Sequence, residues 1–374
     1  MIDINNIGIY NFQLNSEENI YISSLDPLKL DRKLNELPEL NYIHETKEII
    51  SIMQYAVENM KYLGTLNFYE SIAAIRDLGM FAGSLKKNNL EPVKVIPSLE
   101  SVLIQLGEIT NMVPRDTLIH YSIWNPNGKR QRRYTNYPDE VKLIQSARIA
   151  MPKLEKAVYN LISLHNIPII SPDFVTICKE CANNLTGMVE AIVFIIKNVS
   201  RKVFAEKLRP YFDEIMIKGN KYLGPGAVEM PLFIFDHLLW SAECKDESYL
   251  KFKENFLPYT LPSFRKIYAE FENSPSLLMI LSKQLDYISY QENTKILEGI
   301  NAVNELFKIL IKFRKPHMKV VEQAYIHTEN NLREQGSGGY KSDMLNYLAD
   351  MTSKSGAQLN KYINNEQQNL LSNR

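Results

Sequence analysis

Apolar residues recur at intervals of three and four positions through most of this sequence, which is the spacing of one face of an α-helix. Turn dipeptides divide the pattern into segments of ordinary helix length. We therefore predict a mainly α fold. The predicted helices span residues 45–62, 68–86, 138–164, 172–198, 201–217, 229–243, 262–271, 275–288, 293–328 and 341–368.

One long stretch interrupts the helical pattern between residues 109 and 137. It is dense in proline, asparagine, glycine and aromatic residues, which predicts an irregular connection. Its basic run, Lys129–Arg133 with Gln131 inside it, is interpreted as a solvated turn, with a phosphate contact as the alternative. The predicted division is a small N-terminal helical domain, an irregular connection and a large helical domain, at residues 1–110, 111–137 and 138–374.

The charge balance limits the partners of the chain. Forty-three basic residues offset forty-three acidic ones, so no net field attracts nucleic acid or an anionic membrane. The longest apolar stretch, at 191–196, is far shorter than a membrane span, and the N-terminus lacks the basic and apolar regions of a secretory signal. Three cysteines are too few for a disulfide framework. We expect a cytoplasmic protein that binds neither nucleic acid nor membranes.

The common catalytic and metal-binding motifs are missing from the sequence. Cys178 and Cys181 have the spacing of a redox or metal pair, but they lie in a predicted helix without a second pair, and we interpret them as two helix cysteines. The six histidines show no zinc-hydrolase spacing, and no nucleophile elbow, Walker loop or dinucleotide fingerprint occurs. The glycine-rich stretch 336–339 lies between two predicted helices, which indicates a hinge or a backbone cradle.

The predicted helix 293–328 carries a histidine near its broad apolar face. His317 follows Ile300 and Phe307 on that face at the helical period, and Pro316 removes one backbone donor directly before it. A neutral imidazole among apolar helices is a suitable axial ligand for heme iron. A hydrogen-bonded core histidine is the alternative.

The stretches FRKPHMKVVEQAYI (313–326) and QGSGGYKSDMLNYLADMTSKSGAQL (335–359) resemble the C-terminal part of the indoleamine 2,3-dioxygenase superfamily. In that superfamily a histidine binds heme from the proximal side, and a glycine-rich loop closes over the distal pocket. The resemblance implies that His317 is the iron ligand of heme b. It also implies that Ser337 and Gly338 belong to the closing loop and contact the substrate.

Upstream segments extend the resemblance over residues 110–368. VFAEKLRPYF, at 203–212, is similar to the distal helix of the superfamily. The match implies that Phe204 stacks on the substrate ring and that Arg209 pairs with the carboxylate of an amino acid. VKLIQSARIA likewise implies a place for Ser146 in the distal pocket.

The sequence departs from the superfamily pattern at several positions. Glu229, in GPGAVEMP, stands where the family has a glutamine, and Phe264, shortly after Tyr259, stands where it has a histidine. A tyrosine eight positions after the histidine, here Tyr325, makes the sequence similar to the monodechloroaminopyrrolnitrin synthase branch of the superfamily. That branch rearranges a chlorinated tryptophan and does not cleave it. In that reading Tyr325 orients a polar end of the substrate.

Taken together, the resemblance implies a heme-dependent oxidoreductase that acts on tryptophan or a tryptophan-derived indole. The reaction would be dioxygenation with ring cleavage or an oxidative rearrangement, with O₂ or peroxide as the oxidant. Ser146, Phe204, Arg209 and Ser337 would form the catalytic site. The alternatives are a peroxygenase or monooxygenase of an aromatic amino acid and a heme-binding sensor without turnover. We expect a monomer or a homodimer.

Overall fold

A computed structural model describes the backbone of residues 10–60, 66–285, 293–326 and 342–372. Side chains are described at residues 10–60, 66–284, 294–322 and 344–359. Within these residues the chain is mainly α-helical with one two-stranded sheet, so the predicted fold class is confirmed. No helix in the described ranges is long and apolar enough to cross a membrane.

The α-helices of the described residues are α1 (Glu17–Ser24), α2 (Asp31–Tyr42), α3 (Thr46–Met60), α4 (Phe68–Lys87), α5 (Pro92–Val95), α6 (Ser98–Thr110), α7 (Leu118–Tyr121), α8 (Pro138–His165), α9 (Pro172–Asn198), α10 (Arg201–Val203), α11 (Leu232–Asp236), α12 (Glu247–Phe256), α13 (Pro262–Phe271), α14 (Leu277–Leu285), α15 (Asn293–Ile326) and α16 (Ser342–Ser372). Strands β1 (Ile215–Ile217) and β2 (Asn220–Tyr222) form an antiparallel hairpin.

Local signals explain where three of the long helices begin. The Asn67 side chain accepts a hydrogen bond from the Glu70 N–H, and the Glu70 carboxylate accepts one from the Asn67 N–H, which closes a capping box at the start of α4. Helices α8 and α9 start with Pro138 and Pro172, at positions where the missing backbone donor has no helical partner to lose. These helices follow the predicted bounds closely.

The larger core lies where α8, α9, α15 and α16 pack together. Helix α9 contacts both α8 and α15, and α16 lies along α15. The predicted apolar face of α15 is buried there: Ile300, Val303, Leu306 and Leu310 are all 0% exposed. The helix continues through Pro316 to Ile326. The four long helices α8, α9, α15 and α16 therefore pack around the larger core.

A second core lies between the N-terminal helices α2, α3, α4 and α6. Helix α4 contributes to both cores, since Ile72 belongs to the larger one and Ile75 and Leu78 to the smaller. Every residue of α4 from Ser71 to Leu85 is buried. The predicted division into domains stays a prediction.

The prediction for the basic run at 129–133 was wrong. Lys129 is exposed, but Arg132 is fully buried, and its Nε donates to Asp77 at 3.0 Å. Arg130 pairs with Asp31 at 2.7 Å. These ion pairs fix the 111–137 segment to the N-terminal helices, so the run stabilises the fold and does not form a solvated turn.

At two places where one continuous helix was predicted, the structure has shorter elements. Residues 201–217 form α10, a π-helical turn over Phe204–Leu208, a 3₁₀ turn over Arg209–Phe212 and then strand β1. Residues 229–243 form α11 and a second π-helical turn over His237–Ser241. Helices α1, α2, α5, α6, α7 and α12 were not predicted.

The paired cysteines Cys178 and Cys181 are buried free thiols in α9, as predicted.

Candidate functional site

A cavity of about 320 Å³ lies at the meeting point of α8, α9, α15 and α16, and ligand sites in proteins start at about 300 Å³. The segments 201–212 and 225–236 complete its wall. Most of the wall is apolar. The polar residues on it are Tyr121, Ser146, Arg201, Arg209, Asp236, Arg314 and His317.

His317 faces this cavity from α15. Its ring stacks on Phe313, with centroids 5.3 Å apart and an angle of 15° between the planes. Burial, and to a smaller extent the positive charge of Arg314, lowers the pKa of His317 to about 4. The imidazole is therefore neutral at physiological pH, which is the form that binds metal ions.

The other described histidines differ from His317 in their hydrogen bonds. The Nε2 atoms of His165 and His237 lie 2.9 Å from the carbonyl oxygens of Leu238 and Phe271. His317 makes no hydrogen bond within the described part of the chain, and its contact there is the stacking on Phe313. Its ring nitrogens are therefore available to a ligand in the cavity. No cluster of three His, Cys, Asp or Glu side chains suited to a metal ion occurs among the described residues.

A buried ion pair lies one turn before His317. The Arg314 guanidinium pairs with Asp236 and also donates to the Thr352 hydroxyl on α16. Trp240 Nε1 donates to the second oxygen of Asp236 at 3.0 Å. Burial raises the pKa of Asp236, and these two donors oppose that shift because they stabilise the carboxylate. The network joins α11, α15 and α16 at the cavity wall, where Asp236 and Arg314 are lining residues.

Phe204 and Arg209 reach the cavity from the π-helical turn. Residues five apart in an α-helix point about 140° away from each other. Here the Arg209 N–H bonds to the Phe204 carbonyl oxygen, five residues back, so the wider turn brings the two side chains toward the same side. Arg209 is 5% exposed, and Phe204 is half-buried.

Ser146 lies on α8 and also faces the cavity. Its hydroxyl donates to the Leu143 carbonyl oxygen at 2.6 Å. While that bond is made, the oxygen can still accept a hydrogen bond from a ligand. Ser146, Phe204, Arg209 and His317 thus line one cavity, while their roles stay predictions.

The segment that departs from the superfamily pattern forms part of the wall. Residues 225–228 and Met230 line the cavity. Glu229 is buried behind them, and its Oε2 accepts a hydrogen bond from the Leu118 N–H. Burial raises the pKa of Glu229 well above its usual range. Phe264 stacks on Phe12 at 5.1 Å in the core and does not line the cavity.

Several predicted site residues lie outside the described part of the chain. These are Ser337 and Gly338 with the rest of the glycine-rich stretch 336–339. Tyr325 belongs to the backbone of α15, but its side chain is outside the described residues. Their roles stay predictions.

Four polar residues on the cavity wall were not predicted from the sequence: Tyr121, Arg201, Asp236 and Arg314. Arg314 and Asp236 each interrupt an apolar run with a charge, in LFKILIKFRKPH and PLFIFDHLLW, and their opposite signs could have indicated a buried pair. Tyr121 belongs to the 111–137 segment that we interpreted as irregular. Most of this segment is buried, and it contains the short helix α7, which places Tyr121 on the cavity wall.

A family comparison covers nearly the whole chain. Residues 13–371 match the family model described as "Monodechloroaminopyrrolnitrin synthase PrnB". The matched range contains every residue that the structure places on the cavity wall. The resemblance inferred from Tyr325 and the C-terminal motifs is therefore confirmed.

Proposed function

The chain belongs to the monodechloroaminopyrrolnitrin synthase family, and on this premise we propose that it is a heme-dependent oxygenase of tryptophan or a tryptophan-derived indole. Family membership supports an oxidoreductase with a tryptophan-derived substrate. We further propose that the cofactor is heme b and that it is held by His317.

The observation that carries the proposal is His317. A neutral imidazole without a hydrogen-bond partner, in the described part of the chain, lies on the wall of an apolar cavity. The side chain is half-buried, so a ring nitrogen that has no partner in the described residues is available to a ligand in the cavity. A single histidine is enough to hold the iron of a porphyrin, because the macrocycle supplies the other ligands.

The charges on the cavity wall also suit heme b. The wall carries three guanidinium groups and one carboxylate, those of Arg201, Arg209, Arg314 and Asp236. Heme b carries two propionates, and an amino-acid substrate adds a carboxylate. Arg314 is already paired with Asp236. Arg201, which is exposed, would hold a propionate at the mouth of the cavity, and His317 would bind the iron.

Bound heme would supply the redox chemistry that activates O₂ or peroxide. The chain supplies binding and orientation. Phe204 would stack on the indole ring, and Arg209 would fix the substrate carboxylate with paired N–H donors. Ser146 would accept a hydrogen bond from the substrate. The apolar wall excludes water from the reacting centre.

Ser337, Gly338 and Tyr325 complete the proposed site. Ser337 would hydrogen-bond the substrate, and the glycines beside it would let the loop approach without steric cost. Tyr325 would orient a polar end of the substrate. Of the two outcomes, we favour oxidative rearrangement over ring cleavage, because the family matched is the rearranging branch. The pair Phe204 and Arg209 favours an enzyme over a sensor, since an O₂ sensor needs no carboxylate clamp.

Product analysis tests the proposal. The purified protein is loaded with heme, reduced without oxygen, and then supplied with tryptophan or chlorotryptophan and O₂. Mass spectrometry distinguishes the chemistries: ring cleavage adds two oxygen atoms, hydroxylation adds one, and rearrangement changes connectivity. A protein that shows no Soret band after heme addition would contradict the proposal.

A further inference from the structure

Tyr121 connects the cavity to a buried carboxylate that the proposed function does not use. The tyrosine lies on the cavity wall, and its Oη donates a 2.9 Å hydrogen bond to Glu140. Tyr121 is 3% exposed and Glu140 is 0% exposed. A phenol loses an electron more easily when its proton can pass at once to a hydrogen-bonded base, because the product is then a neutral radical and not a radical cation. The contact has the reach that such a proton transfer needs.

Glu140 is well placed to be that base. Besides the Tyr121 hydroxyl, its two oxygens accept hydrogen bonds of 2.7 Å from the Tyr134 N–H, the Thr135 N–H and the Thr135 hydroxyl. Four donors on two oxygens match the acceptor positions of a carboxylate. Burial acts in the opposite direction and raises the pKa of Glu140 above its usual value. The carboxylate is therefore a stronger proton acceptor than an exposed one.

Two further tyrosines continue from Tyr121 in stacked contact. The rings of Tyr121 and Tyr134 have centroids 5.9 Å apart at 29°, and those of Tyr134 and Tyr211 are 4.4 Å apart at 18°. Neither Tyr134 nor Tyr211 lines the cavity. The half-buried Lys87 lies over the Tyr211 ring, with Nζ 5.5 Å from its centroid. The stack therefore leads away from the cavity toward Lys87.

We propose that Tyr121 is a redox-active tyrosine that gives one electron to an oxidant formed in the cavity when no substrate is bound. The proposal rests on the proposed function, because bound heme is what allows hydrogen peroxide to act as the oxidant. Such a step removes an oxidising equivalent before it damages the site.

The step balances in atoms and electrons. The O–H bond of Tyr121 breaks, its proton passes to Glu140, and its electron passes to the oxidant. Two such turnovers, together with two protons from the solvent, reduce one molecule of hydrogen peroxide to two of water. The products on the protein are a neutral tyrosyl radical and a neutral carboxylic acid. A one-electron reductant of the ascorbate class later returns the electron through the stack of Tyr134 and Tyr211, and Glu140 returns the proton.

Electron paramagnetic resonance tests this role. The heme-loaded protein is mixed with hydrogen peroxide in the absence of tryptophan and frozen rapidly. We expect a tyrosyl radical signal in the wild type and its loss in Tyr121→Phe, which removes the phenolic O–H but keeps the stacked ring. Glu140→Gln should lose the signal as well, because an amide does not accept the proton.

Tyr249→Phe is the matched control. Tyr249 is also fully buried, but its hydroxyl bonds to that of Ser241 at 3.0 Å and not, within the described residues, to a carboxylate. The control should keep the radical signal. Circular dichroism and the Soret band of each variant show whether it is folded and loaded, and Tyr121→Phe keeps the test valid if Glu140→Gln fails to fold.

The outcomes separate the two proposals. An unchanged radical signal in Tyr121→Phe would overturn the redox role, and so would a wild type with a normal Soret band but no tyrosyl radical. A wild type without a Soret band would overturn the proposed function, and the redox role of Tyr121 with it.

Discussion

The guanidinium of Arg314 is ion-paired with the carboxylate of Asp236, and both groups are buried one helical turn before His317. Asp236 ends α11, while Arg314 and His317 lie on α15. The pair therefore fixes the rotation of α15 against the segment that carries the opposite wall of the cavity. Thr352 adds a link to α16 through its hydroxyl.

Breaking this pair should lower the stability of the fold. In Asp236→Asn the Arg314 charge stays buried without its counterion, and breaking a buried pair in this way costs about 3–5 kcal/mol. The free energy of unfolding, measured by urea denaturation, should fall by that amount. Glu190→Gln is the control, because Glu190 pairs with Lys153 in solvent and such pairs contribute less than about 1 kcal/mol. Similar losses in both variants would contradict the interpretation.

His317→Ala should abolish stoichiometric heme binding while the helix content stays close to that of the wild type. The substitution removes the only side chain proposed to hold the iron, on a helix whose apolar face is buried elsewhere. Heme titration followed at the Soret band and far-ultraviolet circular dichroism measure the two quantities. His165→Ala, which removes a histidine bonded to a backbone carbonyl oxygen, should still bind heme. A normal Soret band in His317→Ala would refute the assignment.

Arg209→Ala should weaken the binding of tryptophan far more than that of tryptamine, which lacks the carboxylate. A hydrogen bond to a charged group contributes about 1.5–3 kcal/mol, so the affinity for tryptophan should fall roughly 10- to 100-fold. Changes in the heme spectrum on titration give both dissociation constants. Equal losses for the two ligands would exclude a carboxylate clamp. Arg32→Ala is the control, because it removes an exposed guanidinium that does not line the cavity, and it should leave both dissociation constants unchanged.

His120 should make the stability depend on pH below about 6.5. Burial, and to a smaller extent Arg76, lowers the pKa of His120 to about 3 in the folded protein. Its Nδ1 accepts a hydrogen bond from the Thr117 N–H, which requires the unprotonated ring. As the pH falls from 6.5 toward 3, the unfolded chain binds a proton that the folded chain does not, so the free energy of unfolding decreases.

The comparison variant for this prediction is His120→Asn. Its Oδ1 can accept the same hydrogen bond, but the side chain does not titrate in this range. Urea denaturation at pH 7, 6 and 5 should give a smaller decrease in the variant than in the wild type. Identical pH profiles would show that His120 does not contribute.

The sequence predicted the long helices well because their signals are local. The capping residues of α4 and the prolines that begin α8 and α9 act on the backbone within a few positions of themselves. The periodic apolar face of α15 likewise required burial wherever the helix was placed. Family motifs then brought Ser146, Phe204, Arg209 and His317 to attention, and the structure places all four on one cavity.

The π-helical turn at 204–208 shows where local reasoning failed. Its residues have ordinary helical propensity, so we predicted one helix over 201–217. The wider turn costs hydrogen-bond regularity, and packing is what compensates for it: Ala205 and Leu208 are buried, and Pro210 and Phe212 follow directly in a 3₁₀ turn. Periodicity cannot reveal such a turn, because one additional residue shifts the phase of every side chain after it.

By itself the sequence determined the fold class, the course of the main helices and the family, since each depends on residues that are close together in the chain or on motifs in fixed order. Only the tertiary structure decided that the ion pair of Arg314 and Asp236 forms, that Arg132 is buried, and that Tyr121 meets Glu140 beside the cavity. These contacts join segments that are far apart in sequence, or they depend on whether a charge is exposed or buried. Their energies depend on the loss of water around the charges, and only the packed chain sets how much water is lost.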